Sequence, residues 1–258
     1  MKRIKVLVAG AKGRMGSMVV QMVMADQDLE YVGGVDLYVD EHPGSEQPIF
    51  KSVEEAIIAV KPDVLVDFTT PDSVKQNMET AINLGVCPVV GTTGLAMEDI
   101  LIMDRLAKEQ KIGGIIAPNF AIGAVLMMRF AAMAAKYLPN VEIIEMHHDK
   151  KLDAPSGTAI KTAELIAKER EKIRQGNPAE KESIEGARGG EFAGFRIHSV
   201  RLPGLVAHQE VIFGDQGQTL SIRHDSLDRQ SFMPGVNLAI KKVIDLVGIT
   251  YGLEHLLE

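Results

Sequence analysis

Ile4-Lys5-Val6-Leu7-Val8-Ala9-Gly10-Ala11-Lys12-Gly13-Arg14-Met15-Gly16 is the stretch whose reading decides the fold. Ile4–Ala9 is a short apolar run, the pattern of a strand buried on both faces. Three glycines follow at the spacing G-x-x-G-x-x-G, a variant of the dinucleotide fingerprint, and Met15 to Ala25 reads as a helix. Glycines at such a turn let the backbone approach a pyrophosphate, and the helix N-terminus offers N–H groups to its oxygens. A second predicted strand, Tyr31 to Val35, ends at Asp36, about 20 residues past the loop, where a carboxylate can hydrogen-bond a ribose hydroxyl. A glycine turn without a ligand is the alternative. The strand before, the helix after and the acid beyond favour a nucleotide. Gly10, Ala11, Lys12, Gly13, Arg14, Met15 and Asp36 are therefore candidate cofactor contacts. Asp36 suits the 2′-hydroxyl of NAD and repels the 2′-phosphate of NADP. Leu37 and Tyr38 add no cation, while Lys12 and Arg14 partly compensate, so NADH is expected to be preferred and NADPH tolerated.

Outward from this stretch the alternation continues. Helices are predicted at Val53–Val60, Asp72–Leu84 and Met97–Lys111. Strands are predicted at Val64–Phe68, Cys87–Val90 and Gly114–Ala117. Apolar strands alternating with helices imply a parallel sheet covered on both faces, a Rossmann-like, doubly wound α/β domain. The pattern changes after Asn119. A long apolar helix (Ile122–Tyr137), a strand (Val141–His147) and a charged amphipathic helix (Thr158–Gln175) are followed by β-like runs at Phe195–Arg201, Leu205–Phe213 and Thr219–His224. A last helix runs from Val236 to Val247. This second region reads as α+β with an antiparallel or mixed sheet, and Asn177–Gly194, rich in glycine and charge, reads as a mobile loop.

Bulk properties narrow the function classes. The 258 residues suffice for one or two domains with a real core. The net charge of −7 argues against a general nucleic-acid binder but leaves room for a local positive pocket. No apolar run is long enough to span a membrane, and the run at Ile4 is too short for a signal peptide. The single cysteine, Cys87, excludes an internal disulfide and suits a reducing, cytoplasmic compartment.

Other predicted strand ends carry polar loops: Asp67-Phe68-Thr69-Thr70, Gly91-Thr92-Thr93-Gly94 and Ala117-Pro118-Asn119-Phe120. Each could be an ordinary βα turn. Together, at the carboxyl ends of successive strands, Gly91, Thr92, Thr93, Ala117, Pro118, Asn119 and Phe120 read as contacts to the nicotinamide half of a cofactor. The most informative segment is Glu145-Met146-His147-His148-Asp149-Lys150-Lys151-Leu152-Asp153-Ala154-Pro155-Ser156-Gly157-Thr158-Ala159. Adjacent histidines on a strand face opposite ways, so they take different roles. Histidine carries protons near neutrality, and Lys151 is a point charge for a carboxylate. The N–H groups of Ser156-Gly157-Thr158 and the Thr158 hydroxyl can hold a second carboxylate. Surface histidines, a solvated lysine turn and an ordinary helix cap are the bland alternatives. No metal is expected, because no further ligands stand at a convincing spacing.

This segment resembles the signature of the 4-hydroxy-tetrahydrodipicolinate reductase family, also called dihydrodipicolinate reductase. The Gly10–Gly16 loop, Asp67-Phe68-Thr69, Gly91-Thr92-Thr93-Gly94 and Asn119-Phe120 agree in order and spacing, so the resemblance spans nearly the whole chain. It implies a dinucleotide-binding domain (1–119 and 235–258) and a substrate-binding and tetramerisation domain (120–234), assembled as a homotetramer. It implies hydride transfer from NADH or NADPH to a small cyclic dicarboxylate, with loss of water. His147 and Lys151 match the family's proton donors, and His148, Gly157 and Thr158 its substrate contacts. Gly10 to Met15, Asp36, Gly91 to Thr93 and Ala117 to Phe120 match its cofactor contacts. Hinges are expected near Asn119 and Pro234-Gly235. The sequence departs from the pattern at Asp149, where an acid replaces a basic or neutral residue, at Pro118 and over 173–193. Three rivals remain: another small-acid dehydrogenase, a non-catalytic nucleotide-binding regulator that would need neither His147 nor Lys151, and a structural or interaction module that would not need convergent polar loops at several strand ends.

Overall fold

Ile4–Ala9 forms a strand inside a parallel sheet, with Val6 to Ala9 fully buried. The computed structural model describes residues 2–37 and 47–257; Tyr38 and His42 lie outside them. In chain order the elements are β1 (Ile4–Ala9), α1 (Arg14–Ala25), β2 (Leu29–Val35), β3 (Ile49–Phe50), α2 (Val53–Val60), β4 (Val64–Asp67), α3 (Pro71–Asn83), β5 (Cys87–Val90), α4 (Met97–Gln110) and β6 (Gly113–Ile116). There follow α5 (Ile122–Ala135), β7 (Asn140–His147), α6 (Gly157–Glu169), β8 (Gly190–Phe192), β9 (Phe195–Arg201), β10 (Ala207–Asp215), β11 (Gln218–Ser226), α7 (Met233–Val243) and β12 (Gly248–Tyr251). The chain divides into two units, Met1–Phe120 with Phe232–Glu258, and Ala121–Ser231.

The first unit is the expected doubly wound domain. Its sheet has the order β12-β6-β5-β4-β1-β2-β3, and every pairing is parallel. The chain winds one way through β1 to β3 and the other way through β4 to β6. The reversal between β1 and β4 opens a crevice at their carboxyl ends, where such sheets take their ligands. Buried rows from β1, β4 and α2 form one core, and rows from α3, α4, β5 and β6 another. Local signals agree with these elements: the Ser52 hydroxyl accepts from Glu55 N at the start of α2, and Pro71 begins α3. The carboxyl-terminal helix α7 docks on α1, with Asn237 donating to Asp26 (2.7 Å) and Lys241 pairing with Asp26 and Asp28.

The second unit has a mixed sheet of order β11-β10-β7-β9-β8, in which β7 and β9 run parallel and the other neighbours antiparallel. One face packs on α5 and α6 through Val141, Ile143, Ile197, Val211 and Phe213. No helix of this unit packs on the other face, which carries Ile144, Met146, Val200 and Ile212, each half-buried.

Four differences from the sequence reading have physical causes. The helix expected to reach Gln175 ends at Glu169, because Arg170 leaves it in an extended conformation. Its guanidinium lies over the Phe195 ring (5.2 Å) and donates to the carbonyls of Pro139 and Ala193. The Gln175 side chain then pairs with both Val141 N and Val141 O, as a neighbouring strand would. The loop expected at 177–194 contains β8, and Arg188 ties it to Glu142 and Glu180. The last helix starts at Met233 and stops at Val243, and β12 follows as an edge strand that the helical reading concealed. Finally, the two-residue β3 is too short to leave a periodic signal.

Candidate active site

In the first unit the glycine loop sits at the crevice between β1 and β4. Gly10 has φ +76, and a Cβ there would stand 2.5 Å from Phe68 O. A Cβ on Gly16 would stand 1.9 Å from Gly10 O. Only glycine permits this backbone-on-backbone packing. The N-cap of α1 is Gly13, with no side-chain cap and no acid in the first turn. That helix end suits an anion. The Asp36 carboxylate accepts from Lys12 N (2.9 Å), which holds the acid at the end of β2 against the loop. A pocket of about 330 Å³ is lined by Arg14 and Met15 from α1, by Phe68, Thr69 and Pro71 after β4, and by Gly91 to Thr93 after β5.

A buried acid orders these walls. Asp67, 1% exposed, accepts from Thr69 N (2.9 Å), Thr69 Oγ1 (2.7 Å), Thr92 Oγ1 (2.8 Å) and Asn77 Nδ2 (2.9 Å). A Cβ on Gly91 would meet the Phe68 ring at 2.1 Å, so any other residue there would have to displace the ring. Of the residues expected to touch a cofactor, Arg14, Met15, Gly91, Thr92 and Thr93 thus share one pocket, and Asp36 joins them through Lys12. Ala117 to Asn119 stand apart from its walls, at the end of β6. Buried Phe120 reaches it through a tilted contact with Phe68 at 5.9 Å. A cleft with no room for a Cβ at Gly10, Gly16 or Gly91, faced by a helix start without a side-chain cap, fits a dinucleotide.

In the second unit, β7 ends at His147, and His148 begins a turn closed by Lys151 N donating to His148 O (3.2 Å). Glu145 and His147 share the helix-covered face of β7. Glu145 is fully buried. Its carboxylate meets His147 Nδ1 at 2.5 Å and accepts both Arg201 Nη1 (3.0 Å) and Arg201 Nη2 (2.7 Å). Burial pushes this carboxyl up, but the hydrogen bonds from His147 and Arg201 outweigh it and hold the group at about 2. The Lys151 ammonium pairs with Asp153 (2.7 Å), and that contact lowers the Asp153 carboxyl. Ser156 caps α6 by accepting from Ala159 N (3.2 Å). Beyond it a Cβ on Gly157 would meet nothing within 4 Å, and Thr158 is half-buried. The structure therefore places His147 at the end of β7, His148 and Lys151 in the turn that follows, and Gly157 and Thr158 in the first turn of α6. Among the described residues no group of three or more His, Cys, Asp and Glu is arranged to hold a metal ion.

The family model described as dihydrodipicolinate reductase, N-terminus, matches residues 4–120, and the one described as dihydrodipicolinate reductase, C-terminus, matches residues 123–257. This chain belongs to the dihydrodipicolinate reductase family. It is 58% identical to the 4-hydroxy-tetrahydrodipicolinate reductase of Streptococcus sanguinis over 254 residues, covering 98% of this chain and 99% of the relative. It is 55% identical to the enzyme of that name from Geobacillus kaustophilus over 263 residues, covering 99% of each. A dipicolinate-bound dihydrodipicolinate reductase from Paenisporosarcina sp. TG-14 superposes with a TM-score of 0.92 at 49% identity, covering 98% of this chain and 99% of that one. A scyllo-inositol dehydrogenase from Lactobacillus casei, at 12% identity and a TM-score of 0.62, shares the fold alone.

Two residues in contact with His147 or its carboxylate partner, Glu145 and Arg201, were given no role on the sequence alone. Glu145 had a usable signal: it stands two residues before His147 in a strand whose same-face positions, Val141 and Ile143, are buried and apolar. An acid there must find a partner. Arg201 had none, because only the parallel pairing of β9 with β7 sets it opposite His147.

Proposed function

We propose that this chain reduces 4-hydroxy-tetrahydrodipicolinate to tetrahydrodipicolinate, with loss of water, in diaminopimelate and lysine biosynthesis. The observation that carries the reading is the succession of His147 at the end of β7, His148 and Lys151 in the turn after it, and Gly157, with open space where a Cβ would stand, at the first position of α6. Full-length relatives that bear the activity in their names support it, as does the dicarboxylate named with the 49% identical structure. Lys151 and His148 supply positive or polar partners for one carboxylate of the substrate, and the N–H groups of Gly157 and Thr158 supply them for the other. Fixing both carboxylates orients the ring, which is mainly a positioning task. His147 and Lys151 are the groups placed to deliver the proton that reduction of a conjugated imine requires.

The nicotinamide cofactor, when bound, supplies the hydride. Gly10 to Met15 would hold its pyrophosphate, Asp36 its ribose, and Gly91 to Thr93 with Ala117 to Phe120 its nicotinamide half. Asp36 favours NADH over NADPH for the reason of charge given above. The helix-free face of the second sheet, with half-buried Ile144, Met146, Val200 and Ile212, suits assembly into a homotetramer. A cytoplasmic setting agrees with the pathway and with the lone buried thiol of Cys87. The test is loss of NADH absorbance with freshly generated substrate. Substrate-dependent oxidation is expected, and Lys151→Ala should lower turnover while keeping NADH affinity. A folded, NADH-binding protein that oxidises nothing would refute the proposed substrate.

A further inference from the structure

We infer that Glu145, locked by Arg201, is a positioning residue that sets the tautomer of His147 and the shape of the adjoining carboxylate cradle; the inference rests on His147 acting as a proton donor. Glu145 sits beneath the site with no solvent contact. An ionised carboxylate only accepts hydrogen bonds. His147 Nδ1, at 2.5 Å from Glu145 Oε2, must therefore carry a proton whether the ring is neutral or charged. The nitrogen that gains and loses a proton is then Nε2. This is the arrangement a proton donor needs, because the exchanging site is not tied up by the carboxylate.

Arg201 makes the arrangement one-directional. Its two donors occupy both oxygens of Glu145, and its charge keeps that carboxylate ionised in a buried place. Without the guanidinium a buried acid would take up a proton and could donate to Nδ1, favouring the opposite tautomer. The same pair also reaches the carboxylate cradle. Ser156 N, at the cap of α6, donates to Glu145 Oε1 (3.3 Å), and Arg201 Nη2 donates to Asp153 O (2.7 Å). One ion pair thus ties the end of β7, the end of β9 and the Asp153–Ser156 turn. The imidazole and the helix start that follow Glu145 are held by the same two oxygens.

The experiment uses the full-length chain labelled with nitrogen-15 histidine, at a pH high enough that imidazoles are neutral, with the His147 signals identified by their loss in His147→Gln. The Nδ1–H tautomer is expected for the wild type; an Nε2–H tautomer overturns the inference without any variant of Glu145. Kinetics form the second arm. Glu145→Gln keeps the shape but offers an amide that can donate to Nδ1. It should lower kcat by about 10²–10⁴-fold, the span of general acid catalysis, with NADH affinity retained. A Glu145→Gln enzyme with wild-type kcat, or one that is slow although its His147 tautomer is unchanged, overturns the inference. A fast His147→Gln enzyme overturns the proton-donor reading and the inference with it. A slow His147→Gln enzyme beside a fast Glu145→Gln enzyme overturns the inference alone.

Discussion

Burial by itself would push the Glu145 carboxyl up; hydrogen bonds from His147 and Arg201 outweigh that and hold it at about 2 against an ordinary 4.5. A carboxyl whose folded value is depressed stabilises the fold fully above its unfolded value and loses that contribution as pH falls through the folded value. The shift corresponds to on the order of 3 kcal/mol. Glu145→Gln should therefore melt below the wild type at neutral pH, and the two melting curves should converge as pH falls from 4.5 toward 2. A gap that stays constant over that window would show that the carboxylate does not govern it. Asp36 acts through charge in a different way. Asp36→Ala removes the repulsion of a 2′-phosphate, so the ratio of kcat/KM for NADPH over NADH should rise about tenfold, the equivalent of 1.4 kcal/mol. An unchanged ratio would place cofactor choice elsewhere. Both residues stood in the sequence: the role expected of Asp36 rests on its distance from a nearby loop, whereas Glu145 showed there only its need for a partner. The meaning of Glu145 depends on Arg201, 56 residues away.

Helices α1 and α6 each carry a glycine in the first turn, Gly16 and Gly157, and the two glycines have opposite reasons to be there. A Cβ on Gly16 would lie 1.9 Å from Gly10 O, so Gly16→Ala must distort the loop. Lower melting temperature and lost NADH binding are expected together. Gly157 has open space around it, and a Cβ would meet no atom within 4 Å. Gly157→Ala should leave the melting temperature unlowered and NADH affinity intact, while the KM for the dicarboxylate rises about tenfold through crowding of its anchor. An unchanged KM would remove Gly157 from the substrate site. The starts of these helices were legible because glycine and serine act within one turn of where they stand. The end of α6 was not. Residues 170–175 continue a helical pattern, yet Arg170 gains more from the carbonyls of Pro139 and Ala193 and the ring of Phe195 than from another turn.

On the scale of the molecule, the open face of the second sheet makes the strongest demand. If it assembles as proposed, light scattering should give about four times the 28.1 kDa chain mass. Replacing both Ile144 and Ile212 by lysine on that face should lower the mass without unfolding the chain. A monomeric wild type would refute the assembly. The doubly wound class of the first unit followed from local features alone: apolar runs of strand length, amphipathic runs between them, and a glycine loop at the first junction. These are properties of neighbours along the chain, so the sequence by itself determined them, together with the signature turn from His147 to Thr158. Tertiary structure decided the rest: that β12 extends the sheet beside β6, that β9 runs parallel to β7, and that Arg201 thereby meets Glu145. Those facts rest on hydrogen bonds and ion pairs between residues far apart in sequence, whose strength exists only once burial has excluded water from them.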